Sequence, residues 1–348
     1  METADFDYEL PPGRIAQHPV EPRDSARLLV DLGGEVGVEH RHVRDLTELL
    51  DAGDLLVVNN TRVLRARLHL AKEGTGGAVE LLLLESRRSD GRTGEWEALV
   101  RPSRRVAPGT VLVDPSGDTD VTATVGAELG DGLRLVSLDA GPDGLDVALA
   151  RVGEVPLPPY ITEPLADPER YQTVYADPDH ADSSAAPTAG LHLTTELMGA
   201  VRAKGVEIAE VELVVGLGTF RPIEVDRVED HHMHRERYRV PPSTWEACRS
   251  TRERGGRVVA VGTTAVRALE SAAATGELEG HTEVFIHEGF EFQVVDRLLT
   301  NFHLPKSSLL VMIDAFTGPR WRDLYAVALA ADYRFLSFGD AMLISRKR

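Results

Sequence analysis

The chain has a single cysteine, Cys248, among 348 residues. It therefore holds no internal disulfide, no Cys-rich zinc site and no CxxC redox pair. No apolar run approaches the roughly 18 residues that a membrane-spanning helix requires. The opening METADFDYEL is acidic and lacks the apolar core of a secretory signal, so a soluble, cytoplasmic protein is expected. Positive charge is also short: 38 basic residues face 56 acidic ones, a net charge of −18. Nucleic acid repels such a chain unless its basic residues are grouped.

Several motifs are missing too. There is no G-x-x-x-x-G-K-[ST], which excludes a P-loop nucleotide site, and no G-x-S-x-G elbow. Gly216-Leu217-Gly218 follows a strand-like run, but Thr219-Phe220-Arg221-Pro222 stand where a dinucleotide loop needs a third glycine and a helix. His231-His232-Met233-His234 has HxH spacing with Glu236 nearby, yet no HExxH or cysteine partner accompanies it, and no metal is predicted.

What remains is informative. At 42% hydrophobic, the chain can fill a packed core, and its length suggests two domains of about 150 residues each. The acidity is local: residues 112–183 hold 15 acids and 3 bases, whereas arginines cluster at 101–105, 235–239, 249–257 and the C-terminal tail. The sequence texture changes twice. Residues 63–154 carry short Val/Leu-rich runs at 78–84, 96–101, 111–113, 121–125 and 133–138, separated by Gly, Asp, Ser and Pro. That pattern predicts a small antiparallel barrel or sandwich. From about residue 190, helix and strand patterns alternate: helices over 196–204, with Thr195 as its cap, 243–253, 264–274 and from Ser307 to about 316, strands at 206–215, 257–261, 284–286 and 293–295. The expected fold is a β-rich domain, 63–154, inserted into a discontinuous α/β domain, 1–62 and 155–348.

Five segments suit chemistry. A buried-strand run, 258–261, ends in Gly262-Thr263-Thr264, where a helix begins. Hydroxyls and free N–H groups at such a start fit a carboxylate, phosphate or ribose oxygen, and Arg267 lies one turn in. A plain N-cap with Arg267 paired to Glu270 explains the same residues. Residues 185–192 combine small side chains with Thr188 and end in His192. Residues 300–308 bring Asn301 and His303 before an apolar helix. Asn59-Asn60-Thr61-Arg62 closes a strand with groups that read a base edge or ribose. Residues 333–342 place aromatics beside Asp340.

Taken together, these segments resemble the S-adenosylmethionine:tRNA ribosyltransferase-isomerases of queuosine biosynthesis. The resemblance rests on Phe6-Asp7-Tyr8-Glu9-Leu10-Pro11, Asn59-Asn60-Thr61-Arg62, Pro156-Leu157-Pro158-Pro159-Tyr160-Ile161, Tyr171-Gln172-Thr173-Val174-Tyr175, the runs 185–192, 216–220, 261–271 and 300–308, His234 with Glu236, and Gly339-Asp340-Ala341-Met342. It implies a large, barrel-like α/β domain with an inserted small β-barrel, acting as a monomer. It implies S-adenosylmethionine as a consumed co-substrate whose ribosyl part is transferred and isomerised onto 7-aminomethyl-7-deazaguanine at the tRNA wobble position. Epoxyqueuosine forms; adenine and methionine leave.

That chemistry assigns expectations to residues. His192, His234 and His303 form the acid/base pool, with Asp340 orienting a partner. Thr263, Thr264 and Arg267 hold the methionine or ribose portion. Asn59, Asn60 and Arg62 hold a base or ribose, and Thr188, Gly218, Thr219 and Asn301 complete the substrate-binding set. The chain departs from the family pattern at Val214, where a histidine is usual, and at Asp182, His287, Asp314 and Arg65. These departures keep open an alternative acceptor, a small molecule in place of tRNA. With tRNA as the partner, the charge map predicts that it avoids the acidic stretch 112–146.

Overall fold

Unbroken apolar runs make strands when they are buried on both faces, and the centre of this protein is built from such runs. The computed structural model describes residues 1–33, 37–130, 132–178, 181–216 and 222–347, with backbone alone at 181 and 182. The chain divides into two compact units. One comprises residues 1–61, 159–177 and 186–348; the other comprises 62–158 and 178–185. The second unit therefore includes 62, 155–158 and 178–185, beyond the insert limits drawn from sequence.

The larger unit is mixed α/β. From edge to edge, its nine-stranded sheet runs Glu279–Thr282, Glu236–Arg239, Glu207–Leu213, Leu55–Asn59, Val258–Val261, Arg297–Asn301, Ala341–Ser345, Arg27–Asp31 and Glu39–His42. The four strands from Glu207–Leu213 to Arg297–Asn301 are mutually parallel, and Ala341–Ser345 is antiparallel to the last of them. No pairing joins the two edge strands among the described residues, so the expected barrel-like closure of this unit finds no ladder there. Alternate residues Leu56, Val58, Val259 and Val261 pack on one face against Leu197, Met198 and Val201 of helix Thr195–Ala203. The period-2 and i, i+4 spacings meet in one core.

In the smaller unit, Arg67–Lys72, Ala78–Ser89, Thr93–Arg101, Leu133–Asp139, Thr122–Gly130 and Val111–Val113 pair antiparallel in that order, and Val111–Val113 also pairs with Arg67–Lys72. A helix, Leu145–Val152, follows.

Some local expectations need correction. Thr194, not Thr195, caps the first of these helices, its side chain accepting from Leu197 N. Residues 284–286 and 293–295 are not strands. The backbone N–H groups of Gln293, Val294 and Val295 instead donate to the buried Glu270 carboxylate at 2.8, 3.0 and 2.9 Å. That side chain takes the donors a ladder would need.

Candidate functional site

Where parallel strands end, their loops gather at one edge, and ligands of open α/β sheets bind outside that edge. Here the edge collects Asn59 from one strand, Gly262-Thr263-Thr264 after the next, and Asn301-Phe302-His303 after a third. Because Ala341–Ser345 runs the other way, its first residue pairs with Asn301 and brings Asp340 to the same edge. A cleft open to solvent lies in the larger unit. Thr188, Thr263, Thr264, Asn301 and His303 line it, together with Tyr160, Val215, Thr300, Ser307 and Ser337.

Gly262 makes the turn into the helix possible. Its φ of 87° is a left-handed value that side chains avoid, and a Cβ there would meet Thr264 Oγ1 and Ala189. The helix Thr263–Thr275 then starts with free N–H groups at the cleft. Thr264 Oγ1 is buried without a partner among the described residues, so the hydroxyl does not act as a cap. Arg267 does not pair with Glu270. It forms a buried ion pair with Glu236, whose Oε1 accepts from Gly216 N at 3.1 Å.

Asn301 is the hub of the opposite wall. Its Nδ2 donates to the Leu336 carbonyl at 3.1 Å and to His192 Nε2 at 3.0 Å, and its Oδ1 accepts from Thr188 Oγ1 at 3.2 Å. A carbonyl can only accept, which fixes the amide's orientation and leaves the His192 proton on Nδ1. Burial, reinforced by Arg334 and Arg23, pushes His192 down to about 4. His303 Nε2 lies 3.2 Å from Thr300 Oγ1 and its Nδ1 3.2 Å from Tyr325 Oη. Burial pushes His303 down to about 3. Both rings are therefore neutral near pH 7. The Tyr325 hydroxyl also accepts from His303 N at 3.0 Å, and Tyr8 Oη donates to the His303 carbonyl, so the backbone of this residue is fixed as well as its ring.

The structure separates the other candidates. The Asp340 carboxylate accepts from the backbone N–H groups of Arg27 at 3.0 Å and Arg334 at 2.8 Å. It braces the loop behind Asn301 and, among the described residues, has no bond to a histidine. Asn59 ties two strands together, bonding both Leu213 O and Leu213 N. Asn60 Nδ2 donates to Glu210, while its buried Oδ1 has no partner among the described residues. Arg62 falls in the smaller unit, on strand Arg62–Val63. His234 is exposed and does not line the cleft. Gly218 and Thr219 lie outside the described residues. Among the described residues no cluster of His, Cys, Asp and Glu is arranged to hold a metal, and no helix is long and apolar enough to cross a membrane.

Sequence reasoning missed Tyr325, Thr300 and Tyr160 as site residues. Tyr160 Oη lies 2.7 Å from Ser337 Oγ, at the cleft. Its Pro-rich neighbourhood was the available signal. Two departures from the family pattern also find partners. Asp314 Oδ1 accepts from the Trp321 indole at 2.9 Å, and Arg65 donates to the Ala150 carbonyl at 3.1 Å.

Comparison with known proteins bears on this geometry. A family model described as "Queuosine biosynthesis protein" matches residues 3–344. A protein of Desulfitobacterium hafniense named S-adenosylmethionine:tRNA ribosyltransferase-isomerase is 50% identical, covering 99% of this chain and all of that protein. One of the same name from Moorella thermoacetica is 50% identical over equal shares. A crystal structure of S-adenosylmethionine tRNA ribosyltransferase from Thermotoga maritima matches with a TM-score of 0.55 at 39% identity, covering 98% of this chain and 99% of its own.

Proposed function

The chain belongs to the queuosine biosynthesis protein family, and from that membership we propose how its cleft serves the family's reaction. The enzyme transfers and isomerises the ribosyl moiety of S-adenosylmethionine onto 7-aminomethyl-7-deazaguanine at the tRNA wobble position. The products are epoxyqueuosine-tRNA, adenine and methionine. The observation that carries the assignment to the cleft is the neutral His303 in its lining, with neutral His192 bonded behind Asn301, beside the Thr264 hydroxyl that has no partner among the described residues. S-adenosylmethionine brings a sulfonium cation, which a protonated imidazole would repel.

The sulfonium acidifies the ribose C5′ protons, so a modest base can remove one, and the departing adenine benefits from a proton. The attacking amine must be neutral. His192, His303 and His234 are the proposed acid/base pool. Thr263, Thr264 and Arg267 take the methionine or ribose portion. Thr188, Asn301, Gly218 and Thr219 contact substrate, and Asn59, Asn60 and Arg62 serve a base or ribose. Asp340 acts by positioning: with its carboxylate on two backbone amides, it sets the loop against which Asn301 is held. The pairing of Arg67–Lys72 with Val111–Val113 returns the smaller sheet to its first long strand and supports reading that unit as an inserted β-barrel. The same reading takes the enzyme as a cytoplasmic monomer, which sedimentation velocity checks for the oligomeric state.

Asp314, one of the departures behind the small-molecule alternative, accepts from the Trp321 indole. Single-turnover assays on His192→Gln, His303→Gln and His234→Gln test the histidine roles. A drop of at least about tenfold is expected for any histidine that moves a proton. Near-normal turnover in all three removes the acid/base pool.

A further inference from the structure

Arg267 is only 2% exposed, yet a single one of its nitrogens is bonded. Nη1 pairs with Glu236, while Nε and Nη2 are buried without a partner among the described residues. One turn earlier on the same helix face, Thr264 is 8% exposed, lines the cleft, and keeps its Oγ1 unpartnered. Buried donors in this number are rare, because each one left without an acceptor costs free energy. Donors left in this way suit an acceptor that arrives from outside the protein.

The chemistry of that acceptor follows from the edge it meets. Nε and Nη2 form the lateral fork of a guanidinium, whose two parallel N–H bonds match the two oxygens of a carboxylate. Glu236 holds the opposite side through Nη1 and is itself anchored on Gly216 N, so the fork is held in one orientation. Val215, next to that anchor, lines the cleft with Thr264. Charge narrows the choice further. Glu236 already balances Arg267, so a bare anion would leave this buried group net negative. A zwitterionic amino acid brings its own cation.

We propose that the Nε–Nη2 edge of Arg267, with the Thr264 hydroxyl, receives the α-carboxylate of the amino-acid arm of the sulfonium co-substrate, and that Glu236 is the positioning residue that aims it. The proposal rests on the reaction given above. It makes the site selective for a sulfonium that carries a carboxylate.

The test compares S-adenosylmethionine with decarboxylated S-adenosylmethionine, measuring adenine release with tRNA bearing the deazaguanine amine. Wild-type enzyme is expected to favour S-adenosylmethionine in kcat/KM by at least about tenfold. Arg267→Gln and Thr264→Val should shrink that ratio toward one, with Arg267→Lys between. Glu236→Gln should lower the ratio mainly through KM. The ratio is internal to each variant, so partial misfolding scales both rates and leaves it unmoved. If Arg267→Gln does not fold, Thr264→Val carries the comparison. An unchanged ratio in the variants that fold, or a wild-type ratio near one, overturns the proposal. Absence of turnover of either sulfonium by the wild type overturns the reaction reading and this proposal with it.

Discussion

Two buried, neutral histidines make the protein's stability depend on pH in a way that can be worked out. The unfolded chain titrates its histidines near 6.5, whereas His192 and His303 titrate at about 4 and about 3 when folded. Both folded values lie below the unfolded one. The unfolded state therefore binds more protons between these limits, and stability falls as pH drops from 6.5 toward 4. At about 1.4 kcal/mol per unit of separation, each histidine contributes roughly 2 kcal/mol of destabilisation between pH 7 and pH 5, about 4 kcal/mol for the pair. A loss of that size is a large share of an ordinary domain's stability. Urea unfolding at the two pH values, on wild type, His192→Gln, His303→Gln and the double variant, isolates these terms from the other histidines. Each single variant should reduce the pH-dependent loss by roughly 2 kcal/mol. If both singles keep the wild-type difference between pH 7 and pH 5, the histidines are not held neutral and the electrostatic account of the cleft fails.

Three further outcomes are expected. Asn301→Asp puts a carboxylate oxygen where an N–H₂ now donates to the Leu336 carbonyl and His192, and it should cost about 3 kcal/mol in urea unfolding and most of the activity. Glu270→Gln turns one acceptor of three backbone N–H groups into a donor facing them, and should cost about 2 kcal/mol while leaving KM for the sulfonium within about twofold. At Gly190, a Cβ would lie 1.9 Å from Tyr175 Oη. Gly190→Ala should therefore destabilise by roughly 2 kcal/mol, and Tyr175→Phe in the same chain should recover part of it, a non-additivity read from thermal melting of the four proteins.

How much of this was legible in the sequence depends on the range of the interaction. The strand, glycine and helix over 258–275 are local, set by an apolar run, a left-handed residue and good helix formers, and they stand where the pattern put them. Asn301 and His303 share a strand end for equally local reasons. Arg267 was different. Its sequence neighbour Glu270 is within reach at i+3, but the fold gives Glu270 to backbone amides more than twenty residues away and gives Arg267 to Glu236. A one-dimensional pattern does not rank these partners. The same capture removed the strand expected at 293–295. The roles expected of Asn59 and Asp340 met a related limit. Residue type announced polar recognition, but only the tertiary structure shows their polar atoms bonded to Leu213 and to the amides of Arg27 and Arg334.

The central claim is that this chain moves the ribosyl group of S-adenosylmethionine onto tRNA. Adenine, methionine and modified nucleoside, quantified together, test it most directly. The enzyme should be supplied with S-adenosylmethionine and either tRNA bearing the deazaguanine amine, tRNA lacking it, or the free base. Equal yields of adenine, methionine and epoxyqueuosine with the first acceptor alone are the predicted result. Adenine release that proceeds equally well with the free base, or without any acceptor, would contradict it.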